Sequence, residues 1–130
     1  QMFTVASKGN AIEFAKLRSP RSRPSSLSNS VMGFTAGDQA DRHRTIDRVI
    51  MSSGGEAVAF GETNTATTMA AGSATQTRGI WAGGQNPSTT DSIEYYNLQS
   101  GGNTKDFGNL TTATTMCNAT SDSHGGLGGY

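Results

Sequence analysis

One sequence period of 46–47 residues runs through this chain, and it restricts the fold more than any local propensity does. The motif "MGFTAGD" (32–38) returns as "RGIWAGG" (78–84) and as "HGGLGGY" (124–130). Its first glycines are Gly33, Gly79 and Gly125, 46 residues apart each time. A second motif, "SKGNAIEFAKL" (7–17), returns as "SGGEAVAFGET" (53–63) and "SGGNTKDFGNL" (100–110). Its aromatic falls at Phe14, Phe60 and Phe107, spaced 46 and then 47 residues. "ATTM" recurs at 66–69 and 113–116. Separate landmarks that share one period identify a repeat architecture, in which each unit buries its apolar face against its neighbours.

Within each period four short segments can be read, here lettered A to D on the second full copy. Segment A, "TMAAGSAT" (68–75), is small and uncharged. Segment B, "RGIWAGG", is apolar and ends in glycines. Segment C, "SIEYYNL" (92–98), is rich in β-formers, with Ile93 and Tyr95 on one face and Glu94 and Tyr96 on the other. Segment D, "TKDFGNL" (104–110), follows the turn "QSGG". No segment carries an apolar i, i+3, i+4, i+7 stripe long enough for a helix. The chain is only 33% hydrophobic, but its net charge is zero, so it lacks the charge excess of a disordered chain. Its 17 glycines instead suit many short strands joined by tight turns. Four strands per period is the arithmetic of a propeller blade, so the expected fold is an all-β propeller of four-stranded blades.

The copy from 68 to 110 resembles a kelch repeat. It has an apolar strand ending in Gly83 and Gly84, a variable loop, a strand containing Tyr95 and Tyr96, then Phe107 and Leu110. It departs from the kelch pattern where tryptophan is usual, at Phe107, Phe60 and Phe14, and the usual arginine survives only as Arg21. The wording of residues 78–115 is also similar to kelch-like repeats in virion structural and tail-fibre proteins of cyanophages and other marine phages. The resemblance implies a kelch-like β-propeller in a virion, presenting loops to host surface glycans or to neighbouring virion proteins. The alternative is a kelch-type scaffold that binds another protein and has no catalytic activity. Kelch-like propellers include copper oxidases, whose site needs converging His, Tyr and Cys. This chain offers one Cys, two His and three Tyr, and the expectation is no enzyme.

Strand counting over 130 residues gives full blades at 18–63 and 64–110, a C–D half-blade at 1–17 and an A–B half-blade at 111–130. Half-blades leave unpaired strand edges, and closed propellers have four to eight blades. The two halves are complementary. A homo-oligomer is therefore expected to close the propeller, most simply a six-bladed dimer that buries Phe3, Val5, Ile12 and Phe14 at its junctions.

Ten basic and ten acidic residues balance, which argues against a nucleic-acid or anionic-membrane partner. No apolar run approaches the roughly 18 residues of a membrane helix. Cys117 is alone, so no disulfide can form within the chain. The glycine cluster "GGLGGY" precedes no Lys-Ser/Thr pair and no helix, so it reads as a strand end and not as a phosphate loop. His43 and His124 fall at different repeat positions without Cys or carboxylates at ligand spacing, so neither a metal nor a cofactor is expected. No nucleophile signature is present. The basic run "KLRSPRSRPSS" (16–26) reads as a solvated loop. The B–C loops differ between copies while the strands agree, and variable loops on a rigid scaffold are where binding is placed. They supply the candidates Asp38, Asp41, Arg42, His43 and Arg44 in one copy, and Gln85, Asn86 and Asp91 in the next. Trp81 on strand B packs between blades or serves as a stacking platform for a sugar.

Overall fold

The computed structural model describes residues 9–40 and 43–121, and among them every regular element is a β-strand. β1 (Ala15–Lys16) is followed by β2 (Ser25–Ser28), β3 (Met32–Ala36), β4 (Thr45–Ile50), β5 (Gly55–Glu56) and β6 (Val58–Glu62). The second unit contributes β7 (Ala71–Ala74), β8 (Arg78–Ala82), β9 (Gln85–Asn86), β10 (Ser88–Thr89), β11 (Ser92–Asn97) and β12 (Lys105–Asn109). Two four-stranded antiparallel sheets result, each a meander in chain order: β2-β3-β4-β6 (sheet one) and β7-β8-β11-β12 (sheet two). Neither sheet closes on itself. The fold is all-β, and the four strands of each sheet lie in the segments read as A, B, C and D. Of the two expected half-blades, residues 1–8 and 122–130 lie outside the described residues.

Repetition extends to the irregularities. A β-bulge falls between Ile46 and Asp47 in sheet one and between Ile93 and Glu94 in sheet two. Arg23, Met69 and Met116 each take left-handed backbone, with φ of 54°, 56° and 55°. A non-glycine residue rarely adopts that conformation, so three at one repeat position mark a built turn. Contacts between units repeat as well. The Met69 N–H donates to Arg23 O (3.2 Å), and the Met116 N–H donates to Met69 O (3.1 Å). The N–H groups of Gly55 and Ala57 donate to Phe14 O (3.3 Å) and Lys16 O (2.8 Å). One unit later, Gly102 and Thr104 donate to Phe60 O (3.3 Å) and Glu62 O (2.8 Å). The short parallel pairing of β1 with β5 belongs to this set. Residues 14–16 therefore stand to sheet one as 60–62 stand to sheet two.

The core lies between the two sheets. Phe34 and Phe60 of sheet one meet Tyr96 of sheet two edge-on, with ring centroids 5.8 and 6.0 Å away. Trp81 stacks on the far side of Tyr96, 6.1 Å away and tilted by 9°. Ile46 and Leu98 are fully buried beside them. Each such side chain stabilises by about 1.5–3 kcal/mol through burial. Strand alternation on β11 thus buries Glu94, Tyr96 and Leu98 and leaves Ile93 and Tyr95 half-covered on the other face.

Gly72 allows the close approach of the first strands, β2 and β7. A Cβ there would lie 2.5 Å from Ser26 O and 2.8 Å from Trp81 Cζ3. Gly72→Ala is expected to cost about 1–3 kcal/mol through overpacking, read as a drop in Tm. An unchanged Tm would mean that the sheets do not pack this closely.

Tyr96 is 2% exposed and its hydroxyl has no hydrogen-bond partner among the described residues. Burial pushes its phenol well above the ordinary 10.0. The folded state therefore holds this proton more tightly than the unfolded state. The associated stability is complete below about pH 10 and declines as pH rises beyond it, by about 1.4 kcal/mol per pH unit. Chemical denaturation at pH 9, 10.5 and 11.5 should show that decline in the wild type. Tyr96→Phe should show a shallower one, and equal slopes would refute the assignment.

Candidate functional site

The loops between strands B and C, and the links that lead into each sheet, meet at one end of the strands. Gln39 and Gln85 occupy the same repeat position there, 46 residues apart. Each is tied to the link of its own unit: the Gln39 N–H donates to Ser22 O and the Gln85 N–H to Thr68 O, both at 3.0 Å. In the second unit the loop folds into the small β9–β10 hairpin. The Gln85 side chain turns over it, with Nε2 donating to Pro87 O at 3.0 Å.

A groove of about 190 Å³ opens between these loops, lined by Gln39, Ala66, Thr68, Gln85, Asn86 and Pro87. It spans two units, because Gln39 comes from the first loop and the rest from the second unit. None of the described lining residues carries a charge. Its polar groups are three carboxamides and a hydroxyl, which both donate and accept hydrogen bonds and cannot supply strong acid or base chemistry. The groove is suited to holding a neutral, hydroxyl-rich group.

Beneath the loops, a buried acid at one repeat position fixes each link. In sheet two, Glu94 accepts from the Asn64 N–H (2.9 Å), the Thr65 N–H (3.1 Å) and the Thr104 hydroxyl (2.5 Å). In sheet one the corresponding residue, Asp47, pairs with Arg21 at 2.9 Å, both side chains almost wholly buried, and more loosely with Arg18. Arg21 also donates to Gly37 O. The link is therefore bound by backbone amides in one unit and by guanidinium groups in the other. A buried acid persists only where its charge is compensated, for Glu94 by hydrogen bonds and for Asp47 by ion pairs, so these acids position the loops that carry the groove.

The candidates read from the sequence separate clearly. Gln85 and Asn86 line the groove. Asp38 is buried and shapes its own loop, its Oδ1 accepting from the N–H groups of Ser22 (2.8 Å) and Ala40 (3.3 Å). The Arg44 Nε donates to Thr63 O at 2.7 Å, and its guanidinium lies 3.8 Å from Glu62 at the surface. His43 is half-buried at the same end of β4. Asp91 accepts from the Leu110 N–H through its carbonyl (2.7 Å), which closes the start of β11 against the end of β12. Trp81 is 4% exposed and belongs to the core between the sheets, away from the loop surface. Asp41 and Arg42 lie outside the described residues. Gln39 was not singled out from the sequence, although its 46-residue offset from Gln85 was available as a signal.

Among the described residues no three His, Cys, Asp or Glu side chains cluster to hold a metal ion. No helix among them is long and apolar enough to cross a membrane. No protein-family profile matches the chain, and no curated protein matches it.

Proposed function

We propose that this chain is a non-catalytic binding module, a segment of a kelch-like β-propeller whose inter-unit loop groove takes one unit of a neutral saccharide. The observation that carries the reading is the groove between Gln39 and Gln85, whose described lining is rich in carboxamides. At about 190 Å³ it is smaller than the roughly 300–1,000 Å³ of a site that encloses a drug-sized ligand. It suits an exposed glycan, read one sugar ring at a time with carboxamides as the hydrogen-bonding groups. The stacked four-stranded meanders support the propeller reading, because units related by one repeated set of contacts present equivalent loops on one side. The resemblance of residues 78–115 to phage virion repeats suggests the setting: a tail-fibre or other virion structural protein that contacts a host surface. Co-purification with phage particles tests that setting.

Glycan-array binding tests the function. The wild type is expected to retain neutral glycans. Gln85→Ala, which removes a single hydrogen-bonding amide, should weaken binding about 3–10-fold, the equivalent of one neutral hydrogen bond. Retention of acidic glycans only, or no loss on substitution, would contradict the site.

A further inference from the structure

The contacts between units specify what is needed to cover the free face of sheet one. Sheet one packs on sheet two through Phe34 and Phe60, so its opposite face presents Ser26, Ser28, Gly33, Thr35 and Val49. The corresponding face of sheet two presents Gly72, Ala74, Gly79, Trp81 and Tyr96, and there it is covered by sheet one. Phe14 already sits on the free face as Phe60 sits on sheet two. Beside Phe14 a cleft of about 410 Å³ remains open, lined by Ser26, Ser28, Gly33, Thr35 and Val49. At the equivalent place on sheet two the neighbour is β2, whose Ser26 O lies against Gly72. The cleft therefore calls for a first-strand segment of the same kind.

The described residues contain such a segment, with three exposed residues at 118–120. Residues 116–121 stand to sheet two as 69–74 stand to sheet one. The Met116 N–H donates to Met69 O as that of Met69 donates to Arg23 O, and the Gly84 N–H donates to Thr114 O (2.8 Å). Asn118, Ala119 and Thr120 are nevertheless exposed. Within one chain this segment is docked on sheet two, which stands between it and the open cleft.

We infer that a second copy of this chain supplies the missing neighbour, its residues 116–121 seating in the cleft beside Phe14, Thr35 and Val49. The contact is head to tail: a cleft on one chain meets a segment on the other. Two chains that exchange it both ways form a closed pair with no bare first-strand position. This holds whether or not the loop groove binds a sugar.

Light scattering of the full chain, combined with two charge substitutions, tests the inference. The wild type is expected at twice the 13.5 kDa of one chain. Thr35→Arg blocks the cleft and Ala119→Arg blocks the segment, so each variant alone should drop to the single-chain mass. An unchanged Trp81 emission spectrum would show that the core between the sheets is intact in both. Mixing the two variants leaves one unblocked cleft facing one unblocked segment, and the paired mass should partly return. A wild-type mass of 13.5 kDa, a mass that grows without limit with concentration, or a mixture that stays single would each overturn the assignment.

Discussion

Phe34→Ala is expected to destabilise the protein by about 3–5 kcal/mol, a large fraction of the roughly 5–15 kcal/mol a domain usually has. Phe34 is 1% exposed and is the sheet-one ring that touches both Phe60 and Tyr96, at 5.0 and 5.8 Å. Its removal opens a cavity that Phe60, Tyr96 and Ile46 cannot refill, because the first strands, β2 and β7, are already in contact at Gly72. Urea denaturation followed by Trp81 fluorescence should show the midpoint falling sharply, and a loss below about 1 kcal/mol would mean that the two sheets do not share this core. The low apolar content of the chain makes the effect large, since few other side chains are available to hold the sheets together.

Glu94→Ala is the second large effect, about 2–4 kcal/mol, and it works through hydrogen bonding. The substitution leaves the Thr65 N–H and the Thr104 hydroxyl without their acceptor, and the Asn64 N–H with only Thr104 Oγ1 at 2.7 Å. An orphaned buried donor costs about 1–3 kcal/mol, and bonds to a charged acceptor are the stronger ones. The Thr104 hydroxyl cannot donate to bulk water instead, since the residue is 3% exposed. Glu94→Gln keeps a carbonyl acceptor of the same shape and should lose roughly half as much. Equal losses for the two variants would show that packing and not acceptor chemistry holds the link. Since this link leads to Ala66 and Thr68, loss of Glu94 should also loosen the groove.

The strands were legible in the sequence because period, glycine turns and β-formers coincide in every copy. The segment read as 78–84 holds β8, and 92–98 holds β11. Packing of Trp81 between the sheets was one of the two readings its position allowed, and its stacking on Tyr96 accounts for it. The roles of the two acids were not legible. Alternation on β11 put Glu94 on the same face as Tyr96, but nothing local says which face is covered. The offset from Asp47 to Glu94 held the missing signal, since an acid retained at one position through otherwise divergent strands points to a buried partner. The short pairing of β1 with β5 was invisible for another reason: it joins residues some 40 positions apart through backbone groups alone. Loop candidates were the weakest reading. Charged residues drew attention there, yet Asp38 turns inward to organise its own loop, and the groove is built from amides.

The central claim is that two equivalent loops from successive units form one binding groove. Titration of the ¹⁵N-labelled chain with neutral oligosaccharides, followed through side-chain amide resonances, tests it most directly. Saturable shifts are expected on the carboxamides of Gln39, Gln85 and Asn86, with the Trp81 indole unmoved in the core. Shifts confined to one unit, or centred on Trp81 or Arg44 instead, would contradict it.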